Sequence, residues 1–258
     1  MQNEIQQASS FFFLPLAAAY LTACGVWLLV SRRWPALWPP YRALETDRRH
    51  LDFAIALAAA AGILLLGAVY RAGWLPRVPE PGWRHELVWV LDNLIIYSPI
   101  WIALALRRQP PRTVFLAGAR LGVRAAVGLA LALLSVVLFL AMRGEIGRLP
   151  AVLGGAVSAR RIADFVPVFL EGVALAFVFV RLRWTAGRRV AVLLPALLFA
   201  LAHVPGELAQ GRAALEIAAF FAVNTVLVAA ILDVARRSQD IVWLGIVHYL
   251  MDIAIGAI

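Results

Sequence analysis

Apolar runs of bilayer length recur along this chain, and they leave it few ways to fold. A helix needs about 20 mostly apolar residues to cross a hydrocarbon core of about 30 Å. Several runs here reach that length. In lipid the backbone N–H and C=O groups must pair within the segment, so such runs are helices. The chain is 63% hydrophobic and 15% charged over 258 residues. A soluble chain would instead show shorter periodic stretches separated by polar faces. The predicted class is all-α: a polytopic transmembrane bundle of about eight helices. The spans are 11–30, 51–70, 87–106, 119–142, 163–182, 189–204, 214–234 and 241–257. Their connections hold the Pro, Gly and Arg clusters that break helices. No repeat, linker or separate soluble segment is visible, so residues 1–258 are expected to form a single integral membrane domain.

The net charge of +9 comes with 24 basic residues, all of them arginine. Nucleic acid is the naive partner for such a chain. These arginines, however, sit at the ends of apolar runs and not on one face, which is the pattern of membrane-end anchoring. No nucleic-acid partner is expected. The absence of lysine beside abundant Ala, Leu and Arg points to a GC-rich bacterial genome, and so to a bacterial inner membrane. The first, third, fifth and seventh connections with their flanks carry sixteen arginines, among them Arg42, Arg124 and Arg181, and the other side carries eight, among them Arg77 and Arg160. The positive-inside bias places both termini outside. Trp34, Trp38, Trp74, Trp83, Trp184 and Trp243 lie near span ends, where an amphipathic ring suits the headgroup region. The single cysteine, Cys24, excludes an internal disulfide and reads as a buried residue of the first span.

Charged and polar side chains inside such spans are costly, so each needs a reason. They are Asp92 and Asn93, Glu171, His203, Asn224, and His248 with Asp252. The fifth and sixth spans form a predicted hairpin turning near residue 186. Glu171 lies 15 residues before that turn and His203 lies 17 after it. At ~1.5 Å per residue both stand ~22–26 Å from the turn, at nearly equal depth. His248 and Asp252 are four apart and share a helix face, as do Phe199 and His203. Gly172 is expected to let a neighbouring helix approach closely. Each polar residue also has a plain structural reading. A histidine near a helix end is often interfacial, and a lone membrane Glu is often a packing hydrogen bonder. Asp92 and Asn93 fit interhelical hydrogen bonds better than chemistry, and Asn224 fits either role. Together, three spans can aim two imidazoles and two carboxylates into one pocket. Spacing alone does not name the reaction.

"FALAH" (Phe199–His203) and "HYLMD" (His248–Asp252) resemble the second and third motifs of the CPBP intramembrane protease family, also called the Abi family. That family includes CAAX prenyl endopeptidases and bacteriocin-processing or immunity proteins. The order of the motifs and the 32-residue step from Glu171 to His203 agree as well. The resemblance covers roughly residues 160–258, which it marks as a catalytic core, while the first four spans match only as generic membrane helices. The family's first motif is Glu-Glu-x-x-x-Arg. Here Glu171 keeps the first glutamate, and Gly172 and Ala176 stand at the second glutamate and the arginine.

The resemblance implies an intramembrane endopeptidase acting on membrane-proximal peptides or membrane proteins. Glu171 would activate a water held by His203, His248 would stabilise the oxyanion, and Asp252 would orient His248. Phe199 and Asn224 would support the site. The same donors, His203, His248, Glu171 and Asp252, also allow a divalent metal such as zinc. No His-Glu-x-x-His stretch is present, which favours the metal-free version. Two other readings stay open: a catalytically inactive scaffold or immunity protein, favoured by Gly172 and Ala176, and an ion-coupled transporter using the same polar groups as a relay.

Overall fold

The computed structural model describes residues 2–37, 48–74, 82–116 and 120–257, with the side chains of the first twelve residues and of Ala159 and Arg160 left aside. Trp38, Arg42 and Arg77 lie outside the described residues. The described residues form nine α-helices joined by turns and short 3-10 segments: α1 (Gln2–Arg33), α2 (Arg49–Arg71), α3 (Trp83–Ile96), α4 (Ser98–Leu106), α5 (Leu121–Met142), α6 (Leu149–Ala156), α7 (Ala159–Ala209), α8 (Ala214–Ser238) and α9 (Val242–Gly256). The class is all-α, and the chain is an integral membrane protein. Among the described residues, five helices are long and apolar enough to cross a bilayer, or six if the bent pair α3–α4 is one span.

Three elements differ from the sequence expectation. The span 87–106 is two helices meeting at 47°. The break falls at Tyr97, two residues before Pro99, because proline has no N–H to bond the preceding turn and its ring crowds that turn's carbonyl. Residues 149–156, expected as a connection, form α6. α9 has only 15 residues, about 22 Å at the helical rise, which is less than a bilayer core.

α7 joins the two predicted spans on either side of residue 186. Its break is Gly187, at φ 78 and ψ 174. That left-handed region strongly favours glycine, whose missing Cβ removes the clash. The chain folds back there. Glu171, Leu175 and Val178 of the first limb and Pro195, Leu198 and Ala202 of the second line one pocket. The two sets lie at matching distances along the chain from Gly187, as the limbs of an antiparallel hairpin do.

Two apolar clusters hold the bundle. One gathers α1, α5, α8 and α9 around Trp27, Phe139, Trp243 and Met251. The other packs α2 and α4 against the α7 hairpin around Phe177, Phe179 and Leu182. α9 is sealed into the first cluster by two glycines. A Cβ at Gly128 of α5 would stand 2.7 Å from the Trp243 Cα, and one at Gly245 would stand 2.9 Å from the Phe169 ring. Gly172, by contrast, would meet only the Ile241 Cβ at 3.9 Å, an ordinary contact. The close approach expected at Gly172 therefore occurs at Gly128 and Gly245. Gly128→Ala sets a methyl group against backbone, which a side-chain rotation does not relieve. It is expected to cost about 1–3 kcal/mol, read as a lower thermal midpoint in detergent.

Several residues assigned to the membrane surface are buried. Trp243 is 0% exposed, stacks on Trp27 with ring centroids 5.8 Å apart, and donates from Nε1 to the Ser238 hydroxyl at 3.1 Å. Trp34, Trp74 and Trp83 are exposed, as an interfacial ring should be. Arg124 is 1% exposed and faces Asp240, 0% exposed, at 3.6 Å. Arg181 is also buried. It donates to the Phe177 carbonyl at 3.0 Å and to the Gln109 side chain, tying the 107–115 connection to α7. Both arginines entered the topology count as surface charges, and neither is one. Cys24 is buried within α1.

Candidate active site

Glu171 and His203 each lie sixteen residues from Gly187, one on each limb of α7. Equal distance along two antiparallel limbs gives equal depth, ~24 Å from the pivot. α9 brings His248 and Asp252 alongside. All four side chains line one cavity of about 510 Å³. Phe199 and Asn224 line it too. The helices that build it are α1, α7, α8 and α9.

The Phe199 ring neighbours both imidazoles. Its ring centroid is 4.5 Å from that of His203 and 6.5 Å from that of His248. The Phe199 backbone also sets a tautomer. His203 Nδ1 is 2.9 Å from the Phe199 carbonyl oxygen. A carbonyl only accepts, so Nδ1 carries the proton and Nε2 of the neutral ring keeps its lone pair. His203 is thus oriented by its own helix one turn back.

His248 Nε2 stands 3.6 Å from Asp252 Oδ1. That is longer than a hydrogen bond and within ion-pair range. The Tyr20 ring of α1 meets the His248 ring edge-on at 6.3 Å. Asn224 Nδ2 donates to the Phe220 carbonyl at 2.9 Å, which leaves its side-chain oxygen as an acceptor.

Asp92 and Asn93 are buried and are not among the residues lining this cavity. Asn93 Nδ2 donates to the Trp89 carbonyl at 2.8 Å, one turn back in its own helix, where an interhelical bond was expected.

The four donors do not assemble a metal centre. Among the described residues, no three His, Cys, Asp or Glu side chains are grouped to hold an ion. The zinc that these donor types allow does not fit this arrangement.

Sequence reasoning missed part of the cavity wall. Glu207, 8% exposed, lines it and pairs with Arg212 at 2.8 Å. Gln210 and Arg212 stand beside it in the α7–α8 connection. The signal for Glu207 was available: it follows His203 by four residues and so shares its face. Tyr20 carried no such signal, because α1 lies far from the motif-bearing part of the chain.

Residues 163–254 match the family model described as Type II CAAX prenyl endopeptidase Rce1-like. No curated protein and no solved structure matches the chain.

Proposed function

From the match of residues 163–254 to the Rce1-like family model and the cavity described above, we propose that this chain is an intramembrane endopeptidase of the CPBP/CAAX type whose general base is Glu171. One observation carries the reading: Glu171, His203, His248 and Asp252 reach the same cavity between the helices from three directions. Hydrolysis within a membrane needs water held by polar groups away from lipid, and non-lipid-facing polar surface at that depth is stable only around such a cavity.

The reaction follows from the groups present. A water donates to His203 Nε2 and lies against the Glu171 carboxylate. Glu171 takes a proton as the water oxygen bonds to the scissile carbonyl carbon. The oxyanion that forms is met by the His248 ring, which Asp252 flanks one turn on. Collapse breaks the C–N bond, and Glu171 returns the proton to the departing amine nitrogen. The products are a carboxylic acid and an amine. Substrates are membrane-proximal peptides or membrane proteins. The chain acts as one domain in a bacterial inner membrane with both termini outside, and residues 160–258 supply the catalytic groups.

Asp252→Asn keeps size and removes the carboxylate that stands 3.6 Å from the His248 ring. Cleavage is expected to fall about tenfold with little change in thermal midpoint. An unchanged rate removes Asp252 from the mechanism.

The central test uses purified protein with Glu171→Ala and His203→Ala variants against a library of membrane-tethered peptides, with products read by mass spectrometry. Cleavage by the parent chain alone supports the proposal. Cleavage that survives in both variants refutes it. A second reading rests on Gly172 and Ala176: a binder that keeps the cavity and has lost turnover. It expects tight peptide capture by the parent chain and no product.

A further inference from the structure

Two tyrosines are buried among the described residues, Tyr20 of α1 and Tyr249 of α9. The bundle treats them differently. The Tyr249 hydroxyl donates to the Ala156 carbonyl at 2.6 Å. The Tyr20 hydroxyl makes no hydrogen bond to any described residue. A buried phenol usually finds a partner, because a bond left unmade there costs free energy. Tyr20 lines the polar cavity instead, together with Glu171, His203, His248 and Asp252. It reaches that cavity from a helix outside the residues that match the family model.

Its place in the cavity decides what it can do. The Tyr20 and His248 ring centroids are 6.3 Å apart and the ring planes stand at 70°. The ring contacts of His203 are with Phe199 and Phe220. Tyr20 therefore stands on the His248 side and not beside the histidine that holds the water. The Asp252 and Glu171 carboxylates are within its electrostatic reach. A phenol is a neutral O–H donor at pH 7. A donor left without a partner in the resting cavity is already in place for charge that develops only during reaction, and no group must be pulled from another bond to meet it.

We infer that the Tyr20 hydroxyl is a second donor to the oxyanion, beside the His248 ring. The inference rests on the protease reading and adds to it a catalytic residue from the first helix. The hydroxyl keeps its proton throughout. It bonds more strongly to the anionic oxygen than to the neutral carbonyl of bound peptide, so it acts on turnover more than on affinity.

The test is Tyr20→Phe, which removes one oxygen and keeps the ring against His248. kcat is expected to fall about 10²-fold, with KM changed by less than about threefold. The thermal midpoint should stay level or rise, because an unpaired hydroxyl has gone. Tyr249→Phe is the control. It loses a bond that is made, so its midpoint should fall while kcat stays within about twofold. An unchanged kcat in Tyr20→Phe overturns the inference. So does a loss that appears in KM alone, or a failure to fold, since either gives the hydroxyl another role.

A binding readout separates this inference from the reaction itself. A phosphinic peptide carries an anionic oxygen where the tetrahedral species has one, and a ketomethylene peptide of the same sequence carries a neutral carbonyl. Neither is cut. The parent chain is expected to bind the phosphinic peptide about 10²-fold more tightly, and Tyr20→Phe to lose at least about tenfold of that ratio. A parent chain that cleaves peptides, with a ratio unchanged by Tyr20→Phe, overturns the role of Tyr20 and leaves the protease reading intact. A parent chain that binds both peptides equally and cleaves none sinks the protease reading, and the inference with it.

Discussion

Glu171→Gln is expected to abolish peptide cleavage, with a fall of about 10²- to 10⁴-fold. The amide matches the carboxylate in shape and keeps a hydrogen-bonding oxygen, yet it takes no proton from water at neutral pH. The fold should be untouched. Glutamine is the cheaper group to hold in the cavity wall, because no charge then needs solvation at that depth. The variant should therefore bind peptide as well as the parent chain and unfold at the same temperature or higher. Cleavage at the parent rate would remove Glu171 from the chemistry. A coincident loss of thermal stability would place it in the architecture instead.

The second large effect is on stability. Arg124 of α5 and Asp240, just ahead of α9, face each other at 3.6 Å with almost no exposure. Asp240 Oδ1 also accepts from the Val242 N–H at 2.9 Å, serving the start of α9. Removing one member leaves the other charge buried. Arg124→Ala is expected to cost about 3–5 kcal/mol. The double change Arg124→Met with Asp240→Leu removes both charges and should recover much of that loss. The cap on α9 stays missing, so recovery should be incomplete. Thermal midpoints of the two variants and the parent in one detergent check this. A loss in the double variant as deep as in Arg124→Ala would show that the cap matters more than the pair. Activity should follow stability, since α9 carries His248 and Asp252.

How much of this was legible in the sequence depended on how local the physics is. Helical runs and their hydropathy are local, and all eight predicted spans fall on helices. The hairpin turn expected near residue 186 is Gly187, because Gly between two apolar runs is itself a local signal. Equal depth of Glu171 and His203 needed only counting from that turn. The bend at Tyr97 was also signalled, by Pro99 two residues later, but apolar continuity from Leu87 to Leu106 outweighed it. Arg124 was misread for a different reason. An arginine near a span end looks like a topology charge until its partner is known, and Asp240 is 116 residues further along. Trp243 was misplaced in the same way, because the ring it stacks on, Trp27, lies on the first helix. Tyr20 belongs to the same class: a single sequence does not record which distant helix will close a cavity.

Both proposed water-handling groups ride on one continuous piece of backbone, and that gives Gly187 mechanical leverage. Glu171 and His203 sit on the two arms of a pair of tongs ~24 Å from the pivot, so opening the limbs by about 5° separates them by about 2 Å. A misplacement of about 1 Å is enough to cost about 10²-fold in rate. The jaw setting is therefore enforced by whatever presses on the outside of the tongs, α2 on one flank and α8 with α9 on the other. The packing of α2, α8 and α9 against the two limbs therefore acts as the clamp that fixes the spacing of the reacting groups.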